Sequence, residues 1–162
     1  MTGHEYPKFI ASYVLTNFGH RKIKIYRELN IGKSIIGKNR RVDLFIYCTD
    51  SEKAFVVECK YQAKTGTADE KVPYALADMA SMPMAGCICY AGGGFSQGVL
   101  HMLQASEIAA YCLPKAGYAS SKNTWELDHM LAMHFGWWDV LIGSKRPFAI
   151  EKPAPQLPLV RE

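Results

Sequence analysis

The sequence has five cysteines but no Cys-x-x-Cys pair. Paired spacing is what a structural zinc site needs, so a zinc-stapled fold is excluded. Cys48, Cys59, Cys87, Cys89 and Cys112 all fall in apolar strand-like runs and read as reduced core thiols. No window reaches the roughly 18 apolar residues that would span a bilayer, and Met1 to Lys8 has no apolar signal core, so we expect no membrane partner and a reducing cytoplasm. There is no internal repeat. The glycine run Gly92-Gly93-Gly94 lacks the G-x-G-x-x-G spacing of a dinucleotide fingerprint, because Gln97 holds the last place, which argues against a Rossmann reading. Acidic residues are scarce between His20 and Arg41. Glu28 alone opposes Arg21, Lys22, Lys24, Arg27, Lys33, Lys38, Arg40 and Arg41, so a local positive field arises that the mild net charge of +4 conceals.

What is present fits one core. With 162 residues, 49% of them hydrophobic, the chain can bury a single core but not two comfortable ones. We read residues 1–150 as one domain and 151–162, with Pro153, Pro155 and Pro158, as an extended tail without a core pattern. Helical spacing of Phe9, Ile10, Tyr13, Val14 and Phe18 predicts a helix from His4 to Asn17, ended by Gly19. Alternation predicts a half-exposed edge or near-edge strand from Lys22 to Leu29. A hairpin of Arg41 to Cys48 and Ala54 to Lys60 then turns through Thr49 to Glu52. Asp69 to Met82 reads as a helix with Val72, Leu76 and Met79 inward, provided Pro73 sits in its first turn. Gly86 to Tyr90 and Ala109 to Leu113 read as strands, and Gln97 to Ala105 and Trp125 to Phe135 as helices. The order α-β-β-β-α-β-α-β-α predicts an α/β protein, a three-layer α/β/α sandwich with a mixed central β-sheet.

The chemistry-bearing segment is Asp43, followed fifteen residues later by Glu58-Cys59-Lys60. Strand side chains alternate, so Glu58 and Lys60 share a face, their Cα atoms about 6 to 7 Å apart, while Val57 and Cys59 face the other layer. Neighbouring strands lie about 4.8 Å apart, so a short turn can bring Asp43 beside Glu58. Two carboxylates repel unless a cation joins them, and Mg²⁺ favours one or two carboxylates plus water and phosphate. Such an ion would polarise a phosphate and lower the pKa of an attacking water. Lys60 would orient or deprotonate that water, or neutralise the phosphate. The competing reading is a surface Glu/Lys ion pair beside an ordinary strand aspartate.

These residues resemble the PD-(D/E)XK nuclease superfamily, in which Val42 stands where the family name has Pro. The resemblance extends along Glu58-Cys59-Lys60-Tyr61-Gln62 and Gly66-Thr67-Ala68-Asp69-Glu70-Lys71-Val72-Pro73-Tyr74, like restriction-type and phage-borne members. It implies a restriction endonuclease-like fold and a metal-dependent DNA endonuclease, using Mg²⁺ with Mn²⁺ as a substitute, in a bacterial or phage-infected cell. Asp43 and Glu58 would hold the metal, with Glu5 of the first helix completing it, although a first-turn Glu is also what the helix dipole favours. Lys60 and Gln62 would be catalytic, and Lys38, Arg40, Arg41 and Lys71 would meet nucleic acid. Thr67 to Lys71 equally fits a helix cap, with Thr67 or Asp69 as the capping residue. Cutting both strands needs two sites, which implies a homodimer. Trp137 and Trp138 could stack on bases or close a core or a dimer interface. The alternative function is a nuclease-fold DNA-binding or assembly protein that does not cut.

Overall fold

Strict alternation from Asn39 to Cys48 buries Arg40, Val42, Leu44, Ile46 and Cys48 and leaves the intervening residues partly or fully exposed. That pattern organises a five-stranded sheet in the computed structural model, which describes residues 1–153. Pro155 and Pro158 of the expected tail lie outside the described residues. The elements are α1 (Tyr6–Phe18), β1 (Ile23–Lys33), β2 (Asn39–Cys48), β3 (Ala54–Tyr61), α2 (Ala68–Ala80), β4 (Gly86–Ala91), α3 (Gln97–Ala105), β5 (Ala109–Tyr111), α4 (Trp125–Phe135) and α5 (Trp138–Ile142). Strand order is β1-β2-β3-β4-β5. The first three strands are antiparallel, and β3, β4 and β5 are parallel.

One face of this mixed sheet carries α1 and α4. Tyr6, Ile10 and Val14 of α1 pack with Leu44, Ile46, Val57, Cys59 and Cys89 of the strands and Leu127 and Leu131 of α4. The other face carries α2 and α3, where Val72, Ala75, Met79 and Leu103 cover Ile88, Tyr90 and Ala109. The sandwich is therefore three-layered, with all five cysteines unpaired and buried as thiols. A buried carboxylate locks α4 to α1. Asp128 accepts Tyr13 Oη at 2.7 Å, Ser120 Oγ at 2.6 Å and Thr124 Oγ1 at 3.0 Å. Among the described residues no helix is long and apolar enough to cross a membrane.

Three elements differ from the sequence expectation. Helix α2 contains Pro73 beyond its first turn. It survives because only the bond to the carbonyl of Asp69 is forfeited, while Val72, Ala75 and Met79 on either side are buried. Strand β1 runs on past Leu29 to Lys33 as part of a ribbon with β2. The short helix α5 was not expected. It follows Trp137, which stacks between Phe18 and Phe135 at centroid distances of 5.1 and 4.8 Å, so this tryptophan closes the core, while Trp138 is exposed.

Candidate active site

Pairing of β2 with β3 ends at Leu44 and Val57. One step further the register sets Asp43 opposite Glu58, and there the ladder opens. Instead of a main-chain carbonyl, the Asp43 carboxylate accepts the Cys59 N–H at 2.7 Å. Side-chain alternation turns Glu58 and Lys60 toward α2, because their register partners are Ile88 and Tyr90 of the α2/α3 core, while Val57 and Cys59 enter the α1 core. Glu58 and Lys60 therefore share a face, and the Asp43 carboxylate reaches the residue between them.

Within the site, Lys60 Nζ donates to Glu58 Oε1 at 2.6 Å, with both side chains largely buried. Burial pushes the Glu58 carboxyl above its ordinary range. The Lys60 ammonium opposes that rise and the nearby Asp43 charge adds to it. The two acids therefore feel each other electrostatically.

The pair opens on a cavity of about 410 Å³ lined by Glu58 and Lys60, by Lys38 to Val42 of the β1–β2 ribbon, and by Lys71, Tyr74, Asp78 and Met79 of α2. Asp43 does not line it; its carboxylate is turned to β3. Arg40 and Val42 have the sequence parity of Leu44 and Ile46, which face α1, yet both reach this α2-side cavity. Beyond Asp43 the ribbon has lost its third strand, and the strong twist of a two-stranded ribbon carries it over toward α2.

Three expected residues take up other positions. Glu5 does not join the acid pair. Its carboxylate accepts the Thr2 N–H at 2.6 Å while Thr2 Oγ1 accepts the Glu5 N–H at 3.3 Å, a reciprocal pair of bonds in the turn that leads into α1. The Thr2 bonds hold its pKa below the ordinary value. Arg40, expected to face phosphate, instead clamps Asp78. Nε donates to Oδ2 at 3.0 Å and an Nη2 proton to Oδ1 at 2.9 Å, and the Ile35 N–H reaches the same carboxylate at 3.0 Å. Gln62 is buried away from the cavity. Its Nε2 bonds Asp69 Oδ1 at 3.1 Å and the Gly94 carbonyl at 2.8 Å, leaving Oε1 with no protein partner. Of the two expected capping residues, Thr67 holds the N-cap position of α2 but makes no side-chain cap bond. Asp69 accepts the Ser96 N–H at 3.1 Å instead, joining α2 to the start of α3.

The others come together at the cavity. Lys38, Arg41 and Lys71 all line it and are exposed, Arg41 being held by Glu28 at 2.9 Å. Sequence reasoning gave no role to Asp78 and Tyr74, which line the cavity. Each lies on α2, where helical periodicity signals a solvent face and carries no hint of a partner on another element.

Two carboxylates suit a hard divalent cation, which takes oxygen ligands and keeps several waters. The Glu58 carboxyl is raised first by burial and further by the Asp43 charge, and a cation would offset both. Among the described residues no group of three or more His, Cys, Asp or Glu side chains could hold an ion, so any such ion would depend on two protein carboxylates.

Comparison with known proteins bears on this arrangement. No curated protein matches the chain. Among crystal structures, it resembles a protein of unknown function, AF1548, at 12% identity and a TM-score of 0.41, over 64% of this chain and 56% of that one. It also resembles a repair endonuclease from Pyrococcus abyssi at 18% identity and a TM-score of 0.33, over 59% and 41%. The chain thus spans about half the length of these two proteins. A nuclease domain, by contrast, matches residues 2–138, a span that takes in every strand and the opened ladder between β2 and β3. On that match the chain belongs to the PD-(D/E)XK nuclease superfamily.

Proposed function

We propose that this nuclease-family chain is a Mg²⁺-dependent DNA endonuclease whose cutting site is Asp43, Glu58 and Lys60. The observation that supports the reading is the Glu58–Lys60 pair opening on a cavity rimmed by Lys38, Arg41 and Lys71, with the Asp43 carboxylate bonded to the Cys59 amide between them where β2 leaves β3. Asp43 and Glu58 would hold the ion. When bound, it supplies a Lewis acid for the phosphate oxygens and a lowered pKa for the attacking water.

The chain's own residues have distinct tasks. Lys38, Arg41 and Lys71 give an electrostatic seat for the DNA backbone that does not depend on base sequence. Lys60, neutralising Glu58 across 2.6 Å, sits where its ammonium can turn to the scissile phosphate or hold the attacking water. Hydrolysis then forms one P–O bond to that water and breaks the opposing P–O bond. Gln62 acts at a distance, fixing the loop after Lys60 through Asp69 and Gly94. Cutting of both strands calls for two copies of the chain.

A plasmid nicking assay with Mg²⁺ and EDTA arms tests the reading. Wild type should nick only with metal, and Glu58→Ala should fall to the EDTA background. Lys60→Ala should slow cleavage by about a hundredfold or more. Tight DNA binding by wild type with no cleavage under any divalent metal would overturn the enzyme reading in favour of a binding protein.

A further inference from the structure

At the far end of the β1–β2 ribbon the chain sets two β-branched aliphatic side chains in water. Ile35 is 48% exposed and Ile36 is 59% exposed. They occupy the turn between β1 and β2, which the Ser34 N–H closes onto the Lys38 carbonyl at 2.8 Å and the Gly37 N–H onto the Ser34 carbonyl at 2.9 Å. Gly37 has φ +76°, a conformation that glycine adopts without penalty. The tip is also tethered, since Asp78 of α2 holds both the Ile35 N–H and the Arg40 guanidinium. A tip fixed in this way cannot fold its isoleucines down onto the core.

Its surroundings identify what could cover it. Lys33, Lys38 and Arg41 flank the tip, all exposed. Ile36 lines the same cavity as Glu58 and Lys60. An apolar protein partner would have to desolvate these cations, whereas duplex DNA offers phosphates to the cations and base faces to the isoleucines. A two-stranded ribbon fits a DNA groove, and Ile is among the side chains that wedge between base steps.

We propose that Ile35 and Ile36 form a wedge that opens the base stack beside the cleaved phosphodiester, so that the favoured substrate is duplex DNA with an already weakened step. This rests on the nuclease reading and adds a substrate class to it. Unstacking is least costly at a mismatched or damaged base, which makes the wedge a device for preference. Ile35 and Ile36 are positioning residues. They touch bases, not the reacting atoms.

Two measurements separate this inference from the reading beneath it. The first needs binding but no cutting. The Glu58→Gln protein is mixed with a duplex carrying 2-aminopurine beside a single mismatch, and its fluorescence should rise as the base is unstacked. The same protein with Ile35→Ser and Ile36→Ser added should give little or no rise at saturating protein. The second compares cleavage of mismatched and fully paired duplexes of otherwise identical sequence. The wild-type preference for the mismatch should shrink on the order of tenfold in the double serine variant. Equal fluorescence from both proteins, or an unchanged cleavage preference, overturns the wedge. Failure of wild type to cut, with the fluorescence difference intact, overturns the nuclease reading and keeps the wedge. No binding to duplex DNA overturns the wedge outright.

Discussion

Glu58 is placed under conflicting demands. Burial and the Asp43 charge favour its neutral form, whereas Lys60 favours the carboxylate, and the balance leaves its pKa above the ordinary glutamate value. A carboxyl raised in the folded state binds protons that the unfolded chain has already released. Stability therefore falls as pH rises from the ordinary glutamate value through the raised one, and the contribution is fully present only below that window. Glu58→Gln should remove this slope while keeping an acceptor for Lys60, and saturating Mg²⁺ should offset the loss on the alkaline side. Urea midpoints against pH, with and without Mg²⁺, check this; parallel curves for the two proteins would contradict it. Glu58 and Lys60 were legible from sequence because parity alone sets two residues of one strand on the same face. Arg40 was not legible, since Asp78 lies 38 residues away on a helix and no local pattern announces it.

At the scale of elements, the ribbon and α2 are joined chiefly through the Arg40–Asp78 pair, whose side chains are 8% and 16% exposed. The Arg40 guanidinium beside it holds the Asp78 carboxyl below the usual range. Stability from this group is thus present above the ordinary aspartate pKa and lost as pH falls through the lowered value. Asp78→Ala leaves a buried guanidinium unpaired and should cost about 2 to 3 kcal/mol, read from denaturant midpoints at neutral pH. It should also weaken cutting more than its stability loss explains, by releasing the ribbon from the cavity. The ribbon itself was only half legible. Its antiparallel start alternates, but Tyr26, Arg27 and Glu28 are all exposed, so the period breaks there while the pairing with β2 continues to Lys33. The glycine run was legible as a close approach, though not what it approaches. A Cβ on Gly94 would fall 2.4 Å from the Lys64 carbonyl, which identifies the loop after β3 as its neighbour.

For the molecule as a whole, the sheet divides the labour. The α1/α4 face is sealed by a polar network and a stack of aromatic rings, and the α2/α3 face opens toward the acid pair. Asp128, 2% exposed, should matter to folding alone. Asp128→Ala strands the hydroxyls of Tyr13, Ser120 and Thr124 and should cost about 2 to 3 kcal/mol. For a chain of this length that is a fall in Tm of roughly 5 to 10 °C, with cleavage per folded molecule intact at low temperature. Differential scanning calorimetry beside the nicking assay reads both. The layer order was legible because hydrophobic period and element sequence agree through most of the chain. The Tyr13–Asp128 lock was not, since it joins residues 115 positions apart.

One oxygen of Asp43 stands in for a strand carbonyl, so the amide of Cys59 is wired to the acid pair. Any cation drawing on that carboxylate competes for its electrons with a main-chain proton. The Cys59 amide thus becomes a built-in gauge of metal loading, and its NMR resonance should shift on titration with Mg²⁺ in Lys60→Ala as well as in wild type, independent of catalysis.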